Sequence, residues 1–205
     1  MYHSALAVCM LWQAIVVQMI TSAETPAPGP KFKTAAGKDK NQNIAFVYGT
    51  LKSGEPNHHQ LFAKGPDGSV FLGYGRTMSR FPLIVTTPYN IPLLLLKKGS
   101  GQRIKGELYL INDDTLKYLD LFAAHTHWYE RRRVKVKRFT DSQGNKLDKP
   151  ETLKVWLYGL PRFKKSLLKL PQLKVYRDKD REINKRYRPY NPEKDGSLDP
   201  YLLDN

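Results

Sequence analysis

An α+β fold, mostly strands in a sheet or small barrel with one or two helices between them, is what this 205-residue sequence predicts. Three observations carry that expectation. From Ile44 onward short apolar runs recur between glycine, proline and asparagine turns, the pattern of strands rather than of long helices. Only one stretch carries both a helical apolar face and a cap in front of it, Asp114 to Phe122. Finally, 40% hydrophobic residues in a chain of this length suffice for one sizeable core but not for two full domains. The 14 glycines and 14 prolines follow no fixed period, which excludes collagen-like and low-complexity classes. The single cysteine, Cys9, excludes an intrachain disulfide framework and any zinc or redox site of the C-x-x-C type.

The chain opens on an apolar run, Ala5 to Ile20, broken only by Gln13 and Gln18 and followed by Thr21-Ser22-Ala23. The run is shorter than the roughly 20 residues a spanning helix needs. Small residues at Thr21 and Ala23 suit a signal peptidase, so residues 1–23 are expected to be a signal peptide, with a signal anchor as the alternative. Residues 24–43, rich in Pro, Ala, Gly and Lys, hold Phe32 as their one bulky apolar residue and are expected to be a flexible linker. The folded domain is expected over 44–192, with a C-terminal tail over 193–205.

Its first strand is Ile44 to Leu51, meeting a turn at Gly49, and a short helical stretch follows around Gln60 to Lys64. Strands are predicted at Val70 to Met78, at Phe81 to Thr86, and at Leu93 to Leu96, an apolar run too short to cross a membrane. Arg103 to Ile111 alternates as a strand does. Asn112-Asp113-Asp114-Thr115 then supplies cap chemistry, with acidic residues where the helix dipole favours them. Val134 and Val136 alternate with Arg131, Arg133, Lys135 and Lys137 in a strand with one basic face, and Leu153 to Tyr158 closes the series after a loop at Gln143-Gly144-Asn145.

Several of these segments are recognisable together. Phe46-Val47-Tyr48-Gly49-Thr50-Leu51-Lys52 followed by Gly54-Glu55-Pro56-Asn57-His58 resembles the opening of the γ-glutamylamine cyclotransferase branch of the γ-glutamyl cyclotransferase family (AIG2-like). Gly75-Arg76-Thr77, Phe81-Pro82-Leu83, Asn90-Ile91-Pro92, Gly106-Glu107-Leu108-Tyr109, Leu119-Asp120, Tyr129-x-Arg131 and Tyr190-Asn191-Pro192 fall in the same order. The resemblance implies a small mixed β-barrel with flanking helices. It implies a reaction in which the α-amine of a γ-glutamyl group attacks its own γ-carbonyl, closing 5-oxoproline and expelling an amine such as lysine. It implies no cofactor and no metal. Tyr48, Gly49, Thr50 and Leu51 are then the substrate-binding turn, whose backbone N–H groups would receive the charge developing on the amide oxygen.

One position departs from the pattern. The family reads Leu-Asp, two residues, then the Glu that serves as general base; here Leu119-Asp120-Leu121-Phe122 is followed by Ala123. On a helix, Leu116, Leu119, Asp120 and Ala123 share one face, and the leucines turn that face inward. A Glu there would be partly desolvated and its pKa raised towards a useful range, whereas Ala takes no proton. Glu107, if it points into the barrel, and Asp120 are the candidate surrogates, with His125 and His127 next along the chain. The resemblance thus implies either a cyclotransferase with a weakened or relocated base, or an inactive binding protein of the same fold.

The charge is the remaining feature: 34 Lys and Arg against 19 Asp and Glu give +15, none of it in residues 1–23. It collects on the strand 131–137 and through the C-terminal third, from Lys164 to Arg188. No nucleic-acid-binding motif accompanies it, so nucleic acid is not the expected partner. A polyanion held by counterion release at the basic surface, on a secreted protein with no stable membrane span, is the expectation.

Overall fold

The computed structural model describes residues 43–204. The expected leader, residues 1–23, and all of the expected linker except Asn43 lie outside them. Strands β1 (Asn43–Val47), β2 (Ser69–Thr77), β5 (Lys105–Ile111), β6 (Glu130–Thr140) and β7 (Lys146–Gly159) form a closed barrel in the order β1-β5-β2-β6-β7. Every neighbouring pair is antiparallel except β1 and β7, which meet in parallel at Ala45 and Trp156 and close the ring. Closure covers the strand edges around this contact, while β7 ahead of Trp156 is paired with β6 alone. Strands β3 (Leu83–Thr86) and β4 (Ile91–Leu94) make a separate antiparallel hairpin, tied to the barrel where Leu95 bridges Leu160 and Phe81 bridges Gln102.

Alternation along the strands divides the apolar residues between two sides of the wall. Phe46, Leu108, Val136, Val155 and Leu157 fill the interior together with Phe81, Leu83 and Leu94 of the hairpin. Ala45, Val47, Tyr109 and Ile111 point outward and are covered by Leu61, Leu116 and Leu119. The last two leucines belong to helix α1 (Asp113–Phe122). The Asn112 side chain caps it by accepting from the Thr115 N–H at 2.8 Å, as the Asn-Asp-Asp-Thr sequence predicts. Gly106 is required by this packing, since a Cβ there would lie 2.3 Å from the Val47 carbonyl oxygen.

A third cluster, Ile84, Leu93, Leu95, Leu160 and Leu167, is completed by Leu198 and Leu202. The residues after 192, expected as a tail, therefore supply core side chains. The first strand also differs from expectation: it begins one residue earlier, at Asn43, and ends at Val47, so that Tyr48-Gly49-Thr50-Leu51 leaves the sheet as a turn. Among the described residues no helix is long and apolar enough to cross a membrane.

Candidate active site

The turn that follows β1 is held against three other segments, β7, β4 and the loop at Asn57-His58. Tyr48 is buried, and its hydroxyl donates to the Tyr158 carbonyl oxygen on β7 at 2.9 Å. A Cβ on Gly49 would lie 3.0 Å from Pro92 Cγ on β4, so glycine at this place lets the β3-β4 hairpin approach the turn. Asn57 clamps Thr50 twice, its N–H donating to the Thr50 carbonyl at 2.9 Å and its Nδ2 to Thr50 Oγ1 at 3.0 Å. His58 Nδ1 donates to the Leu51 carbonyl at 3.0 Å, which fixes that ring's tautomer. With the carbonyls thus engaged, the N–H groups of Gly49, Thr50 and Leu51 meet no acceptor among the described residues. Backbone donors left free in a turn are the kind of group that can stabilise a developing oxyanion.

Glu107 lies beneath this turn. Opposite Val47 and in step with Tyr109 and Ile111, it faces the outer side of β5; the expectation that it could point into the barrel interior is corrected by strand parity. It is 5% exposed, and one carboxylate oxygen, Oε2, accepts from both the Ser53 N–H at 2.8 Å and the Tyr109 hydroxyl at 2.9 Å. The arrangement ties the loop to the wall. Burial and the neighbouring Glu107 carboxylate push the Tyr109 hydroxyl well above its ordinary pKa, so it remains a donor.

The other side of the site is the C-terminal end of α1. Asp120 accepts from the Tyr158 hydroxyl through Oδ1 at 2.7 Å and pairs with Arg131 Nη1 through Oδ2 at 3.0 Å. Arg131 is itself stacked on Trp156, 4.5 Å from the ring centre. A continuous path, Tyr48 to Tyr158 to Asp120 to Arg131, therefore joins the turn to the helix end. Both Asp120 oxygens are committed to it. Burial and the Asp120 bond raise the Tyr158 pKa, which keeps this hydroxyl protonated as well.

Ala123 follows directly as the helix C-cap, its N–H donating to the Leu119 carbonyl at 2.9 Å. Ala124 takes the left-handed conformation at φ 46°, with its N–H on the Leu121 carbonyl at 2.8 Å, and the His125 N–H reaches the Asp120 carbonyl at 2.9 Å. These paired bonds are a Schellman ending. His125 then lies with Nδ1 3.3 Å from both the Tyr129 carbonyl oxygen and the Arg131 amide nitrogen, while Nε2 meets no partner among the described residues. His127 is exposed and packs only against Trp128.

The structure thus brings Tyr48, Asp120 and the Ala123 helix end into one connected region, with Glu107 supporting the loop from below. Sequence reasoning missed Tyr158, which links the two halves and had only its outward strand parity to distinguish it. It also missed the strap formed by the C-terminal segment. The buried Lys52–Glu55 pair, 3.4 Å apart, accepts the Asp178 N–H on Glu55 Oε2, and Asp178 Oδ1 in turn receives the Tyr176 hydroxyl and the Tyr187 N–H. Two open concavities, of about 380 Å³ beside Phe163 and Leu203 and about 250 Å³ beside Phe81 and Val134, include no residue of the turn or the helix end. Among the described residues no group of three His, Cys, Asp or Glu side chains is placed to hold a metal ion.

The sequence profile described as "Gamma-glutamyl cyclotransferase, AIG2-like" matches residues 45–178, from the barrel's first strand to the strap's aspartate. The chain belongs to this family. It is 32% identical over 148 residues to the human gamma-glutamylaminecyclotransferase, covering 71% of this chain and 96% of that one. The Drosophila melanogaster protein CG2811, whose name assigns it provisionally to the gamma-glutamylcyclotransferases, is 39% identical over 146 residues, 71% of this chain and 83% of that one. The crystal structure of a mouse AIG2-like protein superposes with a TM-score of 0.64 at 30% identity, covering 73% and 97% of the two chains. Members of this family are thus similar to the chain over the whole barrel, including the turn and α1.

Proposed function

We propose that the protein binds γ-glutamyl amines at the Tyr48–Leu51 turn and cyclises them to 5-oxoproline slowly, because the position of the general base is occupied by Ala123. The observation that carries this reading is that both nearby carboxylates are tied into the fold: Asp120 through both oxygens to Tyr158 and Arg131, and Glu107 through Oε2 to Ser53 and Tyr109 beneath the turn. Each carries a structural duty, Asp120 in joining the turn to the helix end and Glu107 in tying the loop to the wall.

In the reaction, the neutral α-amine nitrogen bonds to the γ-carbonyl carbon and the carbonyl oxygen takes the negative charge. Collapse re-forms the carbonyl and breaks the bond to the departing amine, which leaves with a proton. The free N–H groups of residues 49–51 would serve the oxyanion. The attacking nitrogen must shed its proton to water or buffer, and the usual gain from a positioned base, about 10²–10⁴-fold, is missing. The rate is then expected to climb with pH, as the substrate's own amine loses its proton.

The test follows 5-oxoproline from γ-glutamyl-ε-lysine with wild type, Ala123→Glu and His125→Gln. The expected result is slow wild-type turnover rising with pH, and an Ala123→Glu gain on the order of 10²-fold with a flatter pH profile. Turnover at a rate Ala123→Glu does not improve would overturn the reading. His125 carries the second reading, that of a relocated base, favoured by its unpartnered Nε2; that reading requires His125→Gln to abolish the wild-type rate. No turnover by wild type together with saturable binding would make the protein a binder only. The apolar segment from Ala5 to Ile20 supports export, for which the expected product in a secreting cell begins at Glu24.

A further inference from the structure

Beyond the part covered by α1, the outer wall of the barrel carries a band of cations that crosses four strands. Lys105 on β5 stands opposite Arg76 on β2, Arg76 opposite Lys137 on β6, and Lys135 on β6 opposite Lys154 on β7; Arg133 continues the band along β6. Alternation places all of them on the outer face. Ile104 and Gly106 on either side of Lys105 are buried, as are Gly75 and Thr77 around Arg76, Val136 between Lys135 and Lys137, and Val155 beside Lys154. With strands about 4.8 Å apart and same-face residues about 6.7 Å apart along a strand, the six cations form one strip rather than scattered charges.

Two features separate this strip from ordinary surface charge. First, like charges directly opposite each other destabilise a sheet, and the strip contains three such pairs: Lys105 with Arg76, Arg76 with Lys137, and Lys135 with Lys154. Second, among the described residues none of Arg76, Lys105, Lys135, Lys137 and Lys154 has a carboxylate within ion-pairing distance, so no ion pair offsets these three oppositions. Three arginines of the C-terminal third are used differently. Arg181 and Arg186 donate to backbone carbonyls of their own segment, and Arg188 donates to the Pro88 carbonyl, so they fasten the strap instead of facing a partner.

We propose that this strip, Lys105-Arg76-Lys137-Lys135-Lys154-Arg133, is the docking surface for a linear sulfated polysaccharide. Its composition discriminates among polyanions. A single-stranded nucleic acid is held through aromatic platforms for its bases, but the Trp156 ring beside the strip is already occupied by Arg133 at 4.1 Å and Arg131 at 4.5 Å. Tyr74, at the strip's edge, leans edge-on against Phe71. A duplex needs an element that enters a groove, and a barrel wall offers none. An anionic bilayer calls for apolar side chains inserted all along the cations; here exposed Tyr74 and Met78 flank Arg76 alone, and the residue opposite Lys137 on β7 is Thr152. An acidic peptide adding as a strand would use the stretch of β7 ahead of its single contact with β1, which borders Lys154 but not the other strands of the strip. What fits is a chain that supplies sulfates and requires neither stacking nor insertion. The inference is independent of the catalytic reading, since none of the five unpaired cations belongs to the turn or the helix end.

The experiment uses the whole protein and a fluorescent heparin oligosaccharide, followed by anisotropy across a NaCl series. Wild type is expected to bind with a strong salt dependence and to melt at a higher temperature in its presence, as bound sulfates relieve the opposed cations. The triple variant Arg76→Ser/Lys135→Ser/Lys154→Ser is expected to bind about tenfold or more weakly with a shallower salt slope. A control of equal charge, Lys165→Ser/Lys169→Ser/Lys179→Ser, is expected to stay within about threefold of wild type. Lysine acetylation of the unaltered protein provides a second readout, with Lys105, Lys135, Lys137 and Lys154 protected by the oligosaccharide. Equal loss in the two variants, or protection elsewhere, overturns the proposed surface. Equal or tighter binding of oligo(dT) or of phosphatidylserine vesicles, lost in the same triple variant, overturns the proposed occupant.

Discussion

Tyr158 serves both halves of the candidate site at once: its carbonyl receives Tyr48 and its hydroxyl holds Asp120. Replacing it by Phe leaves the first bond and removes the second, so that Asp120 keeps Arg131 alone. A hydrogen bond to a charged group is worth about 1.5–3 kcal/mol when well enclosed; this carboxylate is 23% exposed, so a loss near the lower end is expected in urea unfolding. Glu107→Ala is the sharper case. It strands the Ser53 N–H and the Tyr109 hydroxyl under a buried loop, and about 1–3 kcal/mol of stability should disappear with it. If Glu107 were instead the base, Glu107→Gln would abolish turnover while leaving stability nearly intact. The residue types at 107, 120 and 123 are plain in the sequence, but whether a carboxylate is free depends on partners 54, 38 and 11 positions away.

At the scale of elements, α1 is the most legible and its ending the least. Asn112 and the acidic first turn announce its start, and Leu116 and Leu119 its buried face. The end is a Schellman motif built without the usual glycine, for Ala124 accepts φ 46°. An L-residue pays about 1–2 kcal/mol in the left-handed region, so Ala124→Gly should stabilise the protein by about 1 kcal/mol and raise its melting temperature by about 2–4 °C. A lowered melting temperature would mean that the Ala124 methyl group makes contacts worth more than the strain. The shortening of β1 has a similar cause. Tyr48 to Leu51 is apolar and aromatic enough for a strand, but its carbonyls go to Lys52, Asn57 and His58 instead of to a neighbouring strand.

The whole molecule is unusually dependent on protonated tyrosines. Burial raises the hydroxyl pKa of Tyr48, Tyr109, Tyr158 and Tyr176 above the ordinary 10.0, with neighbouring carboxylates adding to the effect in the last three. A pKa higher in the folded than in the unfolded state means that the folded protein binds these protons more tightly. The resulting stability is complete below pH about 10 and is lost as pH rises beyond it. Tyrosine absorbance at 295 nm, followed with circular dichroism, should show these residues ionising together with unfolding. Ionisation of all tyrosines in a chain that stays folded would contradict the burial assigned to them.

The sequence by itself determined the strand-rich α+β class, the order of elements, the capped helix and the alanine at position 123. These are local properties, set by side-chain period, turn chemistry and residue identity. Tertiary structure alone decided that the sheet closes, that Glu107 faces outward, that Asp120 is spent on Tyr158 and Arg131, and that residues after 192 enter the core. It also decided the extent of the basic face. On the chain, Arg131, Arg133, Lys135 and Lys137 mark one strand, but strand pairing draws in Arg76, Lys105 and Lys154 and turns Arg131 away to Asp120. Register between strands far apart in sequence is set by closing the barrel around its core, and no local pattern encodes it.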